Sequence, residues 1–286
     1  MAQKSQWTRK AFQSRIANAS KRERYEAGSP NAQEIEAYTS HILSHFKGQT
    51  VGKRSLVLGM TPELRLMLHE LGMSVICVDR NPDAIALFSD WIPELYQENE
   101  KILEVNWMTL GKEIKTPVDI VVGDGVFGNI LSLEAHEKLL AEISQILALN
   151  GIAIFRKILI PNNFPESDYC YQRLIQKYRS HQLDASEFGF AMRIWGLKTR
   201  AFDREKYLLD NQILFNYFDQ LSSENNLSKD ESNAISRYYF NGLNLISPQH
   251  IWESLLTKQN FNFEVKTLTG KDWYAYYRIY ACKQSH

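Results

Sequence analysis

The sequence has few cysteines, three among 286 residues, and they stand far apart at Cys77, Cys170 and Cys282. An odd number at such separations excludes the disulfide framework of a small secreted domain. It also excludes a zinc site built on a Cys-x-x-Cys pair. This usage is typical of a protein kept in a reducing cytosol.

An excess of one charge is also missing, since 33 basic and 33 acidic residues leave a formal net charge of zero. A strong overall nucleic-acid footprint is therefore absent. No apolar run approaches the ~20 residues that a membrane-spanning helix needs. The amino-terminal stretch MAQKSQWTRK lacks the apolar region of a secretory signal. We expect a soluble, cytoplasmic protein with no membrane partner.

Basic residues nevertheless concentrate at the amino terminus. Seven lysines and arginines precede residue 25, against the single acid Glu23, and a turn signal follows at Gly28-Ser29-Pro30. We interpret residues 1–48 as an N-terminal helical arm. It is either a solvated helix that packs a few apolar residues on the protein body, or a lid or anion-binding arm.

Downstream of residue 49, short apolar segments alternate with helical patterns. The predicted strands cover 55–58, 74–79, 102–105, 118–122 and 152–155, with helices between them. Apolar strands that lack strict polar alternation are typical of a parallel sheet covered by helices on both faces. Residues 49–165 are therefore predicted to form a doubly wound α/β unit.

The pattern changes after Pro161. Residues 166–256 are predicted to be a mostly helical insertion, with helices over 204–221 and 248–256. Residues 257–286 are predicted to add two strands, at 261–268 and 273–282, joined by a hairpin-like connection. The expected fold class is α/β, with a mostly parallel seven-stranded sheet whose last strand is antiparallel, plus N-terminal helices and a helical insertion.

In a doubly wound sheet, ligands bind beyond the carboxyl ends of the strands, beside the first strand. That rule brings Gly59, Asp79 and the segments 106–108 and 123–125 to one crevice. Asp79 follows Gly59 by 20 residues, the spacing at which an acid at the end of the second strand binds ribose hydroxyls. A plain glycine turn and a helix-capping aspartate are the alternative, but their order within one βαβ unit favours a nucleoside-type ligand.

The loop after the first strand lacks the glycines of a dinucleotide site. It reads Gly59-Met60-Thr61-Pro62-Glu63-Leu64 and keeps one of the three glycines of Gly-x-Gly-x-x-Gly. Pro62 removes a backbone donor, and Glu63 places a carboxylate in the first helical turn, where it would repel a phosphate. S-adenosylmethionine has no phosphate and carries a sulfonium and an ammonium group. It therefore fits this loop better than NAD.

Three segments carry a resemblance to a known family. Residues 55–84, SLVLGMTPELRLMLHELGMSVICVDRNPDA, resemble the first two motifs of class I S-adenosylmethionine-dependent methyltransferases. They are most similar to a bacterial subset in which Val-Leu-Gly-x-Thr-Pro-Glu-Leu replaces the usual glycine-rich motif. Residues 118–129 resemble the motif after that family's fourth strand, and residues 147–152 resemble the entry to its fifth. The resemblance implies a Rossmann-like sheet.

Carried over residue by residue, the resemblance implies a set of cofactor-binding positions. They are Gly59, Met60, Thr61 and Pro62 at the methionine portion, Asp79 at the ribose, Arg80, Asn106, Trp107 and Met108 around the adenine, and Gly123, Asp124 and Gly125 beside the methyl group and the acceptor. Asp124 is the candidate catalytic residue, which would orient or deprotonate the acceptor. Two assignments have plainer alternatives, since Trp107 could be a core anchor and Gly123–Gly125 an ordinary turn.

The resemblance implies methyl transfer and leaves the acceptor open. Transfer from a sulfonium needs chiefly in-line placement, with a base only where the acceptor must lose a proton. The large insertion favours a small-molecule or peptide acceptor. A nucleic-acid (RNA) methyltransferase comes second, because of the basic arm, and a non-catalytic cofactor-binding or scaffold protein third, because of the altered glycine loop. We also expect the arm and the insertion to form a lid over the acceptor site.

Two further residue sets have competing interpretations. Aromatic residues of the insertion either line an acceptor pocket or form the core of a helical subdomain, the second being the commoner case. They include Phe188, Phe190, Trp195, Phe202, Tyr207, Tyr217, Tyr238, Tyr239 and Phe240. His41 and His45 have the spacing of a metal-binding pair, but Ile42 replaces the Glu of His-Glu-x-x-His. We expect packing roles for both histidines and no metal site.

Overall fold

The computed structural model describes residues 28–162, 170–238 and 242–285. The predicted arm up to residue 27 lies outside the described residues, as do Tyr239 and Phe240 of the aromatic set.

Helices and strands alternate through the first part of the chain. They are α1 (Ala32–His45), β1 (Arg54–Leu58), α2 (Pro62–Glu70), β2 (Ser74–Asp79), α3 (Pro82–Phe88), α4 (Glu94–Gln97), β3 (Glu100–Glu104), α5 (Leu110–Glu113), β4 (Val118–Asp124), α6 (Leu133–Ile146) and β5 (Leu147–Ile158). The later elements are α7 (Tyr171–Arg179), α8 (Ala185–Trp195), β6 (Phe202–Asp203), β7 (Leu208–Asp210), α9 (Asn211–Ser223), α10 (Lys229–Ser236), β8 (Leu243–Leu245), α11 (Gln249–Lys258), β9 (Phe261–Lys266) and β10 (Tyr277–Gln284).

The main sheet has seven strands in the order β3-β2-β1-β4-β5-β10-β9. Strands β1 to β5 run parallel to one another, and β10 is antiparallel to both of its neighbours, β5 and β9. The expected Rossmann-like fold class is confirmed. Because the strand order reverses at β1, the crevice of the switch point lies beyond the ends of β1, β2 and β4.

Both faces of the sheet are covered, as the apolar strands predicted. In β1, Val57 belongs to one hydrophobic cluster, while Leu56 and Leu58 belong to the cluster on the opposite face. All three side chains are at most 1% exposed. Alternate residues of one strand therefore point into two separate cores, which is why the segment is apolar without a break.

Helix α2 begins and ends where the sequence predicts. Thr61 has the extended backbone of a capping residue, although its side chain makes no capping hydrogen bond, and Pro62 occupies the first turn. Proline is tolerated there because the first N–H groups of a helix have no internal partner. Beyond the last residue, Gly72 adopts a φ of 73°, the left-handed conformation that ends many helices. The first βαβ unit is thus set by local sequence.

The insertion is not wholly helical, and the predicted helix over 204–221 is wrong in its first part. Strands β6, β7 and β8 form a separate antiparallel sheet, and helix α9 starts at Asn211. The Asp203 carboxylate accepts the N–H groups of Glu205 and Lys206, which makes a turn. Asp210 then caps α9 by accepting from the N–H of Ile213.

The last predicted strand also begins later than expected. Asp272–Ala275 forms a turn of 3-10 helix, and β10 starts at Tyr277.

In the described part of the chain, no helix is long and apolar enough to cross a membrane.

Candidate functional site

The carboxyl ends of β1 and β2 meet at Gly59. Its N–H donates to the carbonyl oxygen of Val78 at 2.8 Å, and its φ is 98°. A Cβ atom at this position would stand 3.9 Å from both Asp79 Oδ2 and Trp107 Cζ2. Three residues that the sequence assigned to the cofactor site therefore lie together. Glycine is required by the positive φ, and its missing side chain leaves the space between the carboxylate and the indole open.

Asp79 ends β2 as a half-buried acid. One carboxylate oxygen, Oδ1, accepts the N–H of Asn81 at 2.9 Å. Burial raises the pKa of Asp79 from its ordinary value, against the backbone N–H groups of Asn81 and Arg80, which lower it. A partly desolvated carboxylate gains free energy when a ligand donates hydrogen bonds to it. The Oδ2 atom, which faces Gly59, is placed for that role.

Trp107 is anchored beside this carboxylate. Its indole Nε1 donates to the carbonyl oxygen of Val78 at 2.7 Å. The ring is half-buried and packs on the hydrophobic cluster of the α6 face of the sheet. The anchoring role that the sequence allowed is therefore present, and the indole also borders the crevice at Gly59.

The flanking positions differ in exposure. Asn106 is exposed, and its side chain accepts the N–H of Met108 at 3.1 Å, which starts a short 3-10 turn. Arg80 is also exposed, whereas Met60 and Pro62 are buried in the loop before α2. Thr61 and Met108 are half-buried. The loop after β1 thus carries buried apolar side chains, and exposed polar groups follow β2 and β3.

The segment Gly123–Gly125 forms the second part of the site. Gly123 pairs with Leu58 across the parallel strands, so the end of β4 adjoins the loop at Gly59. A Cβ atom at Gly123 would lie 2.8 Å from Val126 Cγ2, and Gly125 has a φ of 61° with open space around it. Close packing thus favours glycine at position 123, and the left-handed backbone favours it at position 125. Asp124, the last residue of β4, lies at the same edge as Gly59.

Asp124 is held by a buried arginine that the sequence analysis did not identify. The Nε atom of Arg156 donates to Asp124 Oδ1 at 2.6 Å, and Nη1 of the same guanidinium donates to Glu34 Oε2 at 2.8 Å. Arg156 is 3% exposed. Burial alone would lower the pKa of Arg156, but the charges of Asp124 and Glu34 outweigh it and raise the pKa well above its ordinary value. The cluster is one cation between two anions.

Arg156 also reaches the backbone at the end of the predicted arm. Its Nη2 donates to the carbonyl oxygen of Gly28 at 2.8 Å and its Nη1 to that of Ser29 at 3.2 Å. The hydroxyl of Tyr38 accepts the N–H of Arg156 and donates to the carbonyl oxygen of Gly123. The sequence contains one sign of this cluster, because the charged residue Arg156 continues the apolar run Ile-Ala-Ile-Phe of β5.

The aromatic residues of the insertion are mainly core. Phe188, Phe190, Trp195, Phe202 and Tyr238 are all at most 9% exposed and belong to one hydrophobic cluster, with Tyr207 and Tyr217 packed against it. The ring of Phe190 also meets the main sheet, with its centroid 5.6 Å from that of Tyr277 on β10.

The two histidines of α1, His41 and His45, contact different groups of the protein. Nδ1 of His41 lies 3.9 Å from a carboxylate oxygen of Glu264, and burial lowers the pKa of His41. His45 contacts the carbonyl oxygen of Asn150. Over the described ranges, no three His, Cys, Asp or Glu residues are grouped so that they could hold a metal ion.

Solved structures share this fold at low sequence identity. The CcbJ methyltransferase from Streptomyces caelestis has a TM-score of 0.52 and 8% identity, over 87% of this chain and 90% of that one. A putative Zn-dependent alcohol dehydrogenase from Rhodobacter sphaeroides has a TM-score of 0.55 and 13% identity, over 97% of each chain. The PH0226 protein from Pyrococcus horikoshii OT3 has a TM-score of 0.53 and 14% identity, over 91% and 95%. No family model and no curated protein matches the chain. The fold is therefore one that methyltransferases use.

Proposed function

We propose that this protein is an S-adenosylmethionine-dependent methyltransferase that acts on a small-molecule or peptide acceptor by in-line transfer. The observation that carries the proposal is the meeting of Gly59, Asp79 and Trp107 at the switch point of the sheet. The shared fold of a methyltransferase supports it without deciding the activity.

The residues present fit the cofactor. A ribose offers two hydroxyl donors, and Asp79 Oδ2 is an acceptor that faces the open space over Gly59. The indole of Trp107 borders the same space and offers a surface for a flat base. The loop at Pro62 and Glu63 favours a ligand without phosphate, because it offers fewer donors and adds a carboxylate at the helix N-terminus. Glu63 lies in the first turn of α2 and is only 4% exposed, so little water screens its carboxylate.

Each part of the crevice then has a task. In the proposal, Asp79 binds the ribose, residues 59–62 line the methionine portion, and Arg80 with residues 106–108 surrounds the adenine. When bound, the cofactor supplies an electrophilic methyl group. The chain's own contribution is to fix the acceptor in line with that methyl, which can supply much of the rate acceleration.

Asp124 is proposed to orient the acceptor. Both of its oxygens accept from Arg156, at 2.6 and 3.2 Å. Because the guanidinium holds this carboxylate in place at the end of β4, Asp124 is suited to orienting an acceptor.

Binding measurements test the cofactor assignment. Titration calorimetry should detect S-adenosylmethionine and S-adenosylhomocysteine and no NAD. Asp79→Ala should weaken cofactor binding by about 1.5–3 kcal/mol, the worth of hydrogen bonds to a charged acceptor. Glu104→Ala is the matched control, because this exposed acid ends the neighbouring strand opposite Asp79. Unchanged cofactor affinity in a folded Asp79→Ala protein would contradict the assignment of Asp79 as the ribose-binding acid.

The two alternatives are separated by other readouts. An RNA methyltransferase should bind RNA with a steep salt dependence that falls when Arg9, Lys10 and Arg15 are neutralised. A non-catalytic protein should bind the cofactor and transfer no methyl group to any member of a broad acceptor panel. Both alternatives rest on sequence features alone, the basic arm and the altered glycine loop.

A further inference from the structure

Tyr277 lies where the main sheet meets the insertion. It starts β10 and pairs with Ile158 of β5. Its ring centroid is 5.0 Å from the guanidinium carbon of Arg156 and 5.6 Å from the ring centroid of Phe190. Because Arg156 also binds Asp124, the Tyr277 ring belongs to the edge where the methyl group is expected.

The hydroxyl of Tyr277 makes no hydrogen bond to any described residue. Three other tyrosines do make such bonds, since Tyr38 donates to Gly123, Tyr274 accepts from Asn31 and Tyr280 donates to Glu253. Tyr277 is 8% exposed, yet its hydroxyl is not among the polar atoms sealed from solvent. A nearly buried hydroxyl without a partner is costly to keep. This hydroxyl keeps some solvent exposure instead.

The charges near this hydroxyl define what it can do. Burial raises the pKa of Tyr277 to about 12, while Arg156 and Arg193 lower it and Asp124 and Glu34 raise it further. The hydroxyl therefore keeps its proton at physiological pH and acts as a hydrogen-bond donor. It is not a general base.

We propose that the hydroxyl of Tyr277 donates a hydrogen bond to the methyl acceptor, and that the acceptor is an aromatic small molecule with a hydrogen-bond-accepting oxygen. The assignment deepens the proposed function and rests on it. The surroundings of this hydroxyl favour an aromatic body, since the Tyr277 ring packs beside Phe190, which in turn lies 5.4 Å from the Trp273 ring and 5.7 Å from the Tyr238 ring. Aromatic rings pack favourably on one another.

The test compares two probes that differ in one oxygen. Acetophenone and ethylbenzene are titrated into the full-length protein saturated with S-adenosylhomocysteine, and binding is followed by ligand-observed NMR. Wild type should bind acetophenone roughly 3–10-fold more tightly, the effect of one hydrogen bond. In Tyr277→Phe this preference should vanish. In Tyr280→Phe, whose hydroxyl bonds Glu253 on the other face of the sheet, it should remain.

Several results would overturn the assignment. They are failure of both probes to bind, equal binding of both to wild type, or a preference that survives in Tyr277→Phe. The thermal midpoint is a second readout, since removal of an unpartnered hydroxyl should not lower it, and a clear drop would reveal an internal hydrogen bond instead. Titration of S-adenosylhomocysteine alone tells the two proposals apart. If the cofactor binds and the probes do not, only the acceptor assignment fails.

Discussion

At the residue scale, the ammonium group of Lys157 is inside the protein without a hydrogen-bond partner in the described part of the chain. Lys157 is 1% exposed, and its Nζ lies 5.3 Å from the ring centroid of Trp252 and 5.9 Å from that of Phe127. Burial lowers its pKa to about 7. The neighbouring His136 has a pKa of about 3, lowered by burial and by the charge of Lys157.

This burial makes the contribution of Lys157 to stability depend on pH. Between pH 7 and the ordinary lysine pKa of 10.5, Lys157 binds fewer protons in the folded state than in the unfolded state. The contribution of Lys157 to stability should therefore rise with pH across that window and be lowest, relative to a variant without the amine, below pH 7. Lys157→Met should be more stable than wild type at pH 6, and its advantage should shrink by about 2–4 kcal/mol on going to about pH 9.5.

Urea unfolding at the two pH values measures this advantage. Lys101→Met is the matched control, because Lys101 is an exposed lysine on strand β3 and its loss should change stability little at either pH. An advantage of Lys157→Met that stays constant with pH would contradict the assignment of a neutral, desolvated amine.

At the element scale, the loop from β1 to α2 combines a left-handed backbone position at Gly59 with the proposed cofactor crevice. Gly59 and Gly52 both have positive φ, at 98° and 78°, but only Gly59 adjoins Asp79 and Trp107. Gly59→Ala and Gly52→Ala should each cost about 1 kcal/mol of stability, from strain in the left-handed region. Only Gly59→Ala should also weaken binding of S-adenosylhomocysteine. Denaturant unfolding measures the stability of both variants, and calorimetry measures their affinity for S-adenosylhomocysteine. Equal affinities would show that the loop at Gly59 does not take part in cofactor binding.

The sequence predicts this loop well because its determinants are local. A strand, a glycine, a proline at the first helical turn and an acid after the next strand stand in order along the chain, and parallel topology brings them together. Arg156 and Glu34 are 122 residues apart, so no local pattern pairs them. Tyr277 and Asp124 are also far apart in the sequence, and the role proposed for Tyr277 depends on which hydroxyls have partners in the fold.

The small sheet of the insertion was missed for a related reason. Its strands β6, β7 and β8 have two or three residues each. Such lengths are too short for a period-two pattern to stand out, and β8 reaches β7 across the whole of α9 and α10. Helical periodicity in the neighbouring segment therefore dominated the prediction for residues 204–210.

At the scale of the whole molecule, the insertion and the sheet share an interior. One hydrophobic cluster includes Tyr38 of α1, Val57 of β1, Phe190 of α8 and Leu214 of α9. The division of the chain into 1–48, 49–165, 166–256 and 257–286 stays a prediction. A shared core of this kind favours cooperative unfolding over independent melting of the insertion.

Asn244 of β8 joins the two parts through polar contacts. Its Nδ2 donates to the carbonyl oxygen of Gly128 at 3.1 Å, and its Oδ1 accepts from Arg193 at 2.7 Å and from Asn211 at 3.0 Å. The side chain is 7% exposed. It therefore ties the turn after Asp124 to helices α8 and α9.

Removing this side chain should weaken the whole molecule. Asn244→Ala takes an acceptor from two buried donors at once, so stability should fall by about 2–4 kcal/mol. Because the core is shared, fluorescence and far-UV circular dichroism should still follow one common unfolding transition, shifted to lower denaturant. Asn216→Ala, an exposed position on α9, is the control and should change stability little. Hydrogen exchange should become faster in residues 126–129 as well as in α9, because the contacts of Asn244 with Gly128 and with Asn211 are both lost. Separate transitions for the two probes would mean that the insertion folds on its own and that Asn244 only docks it.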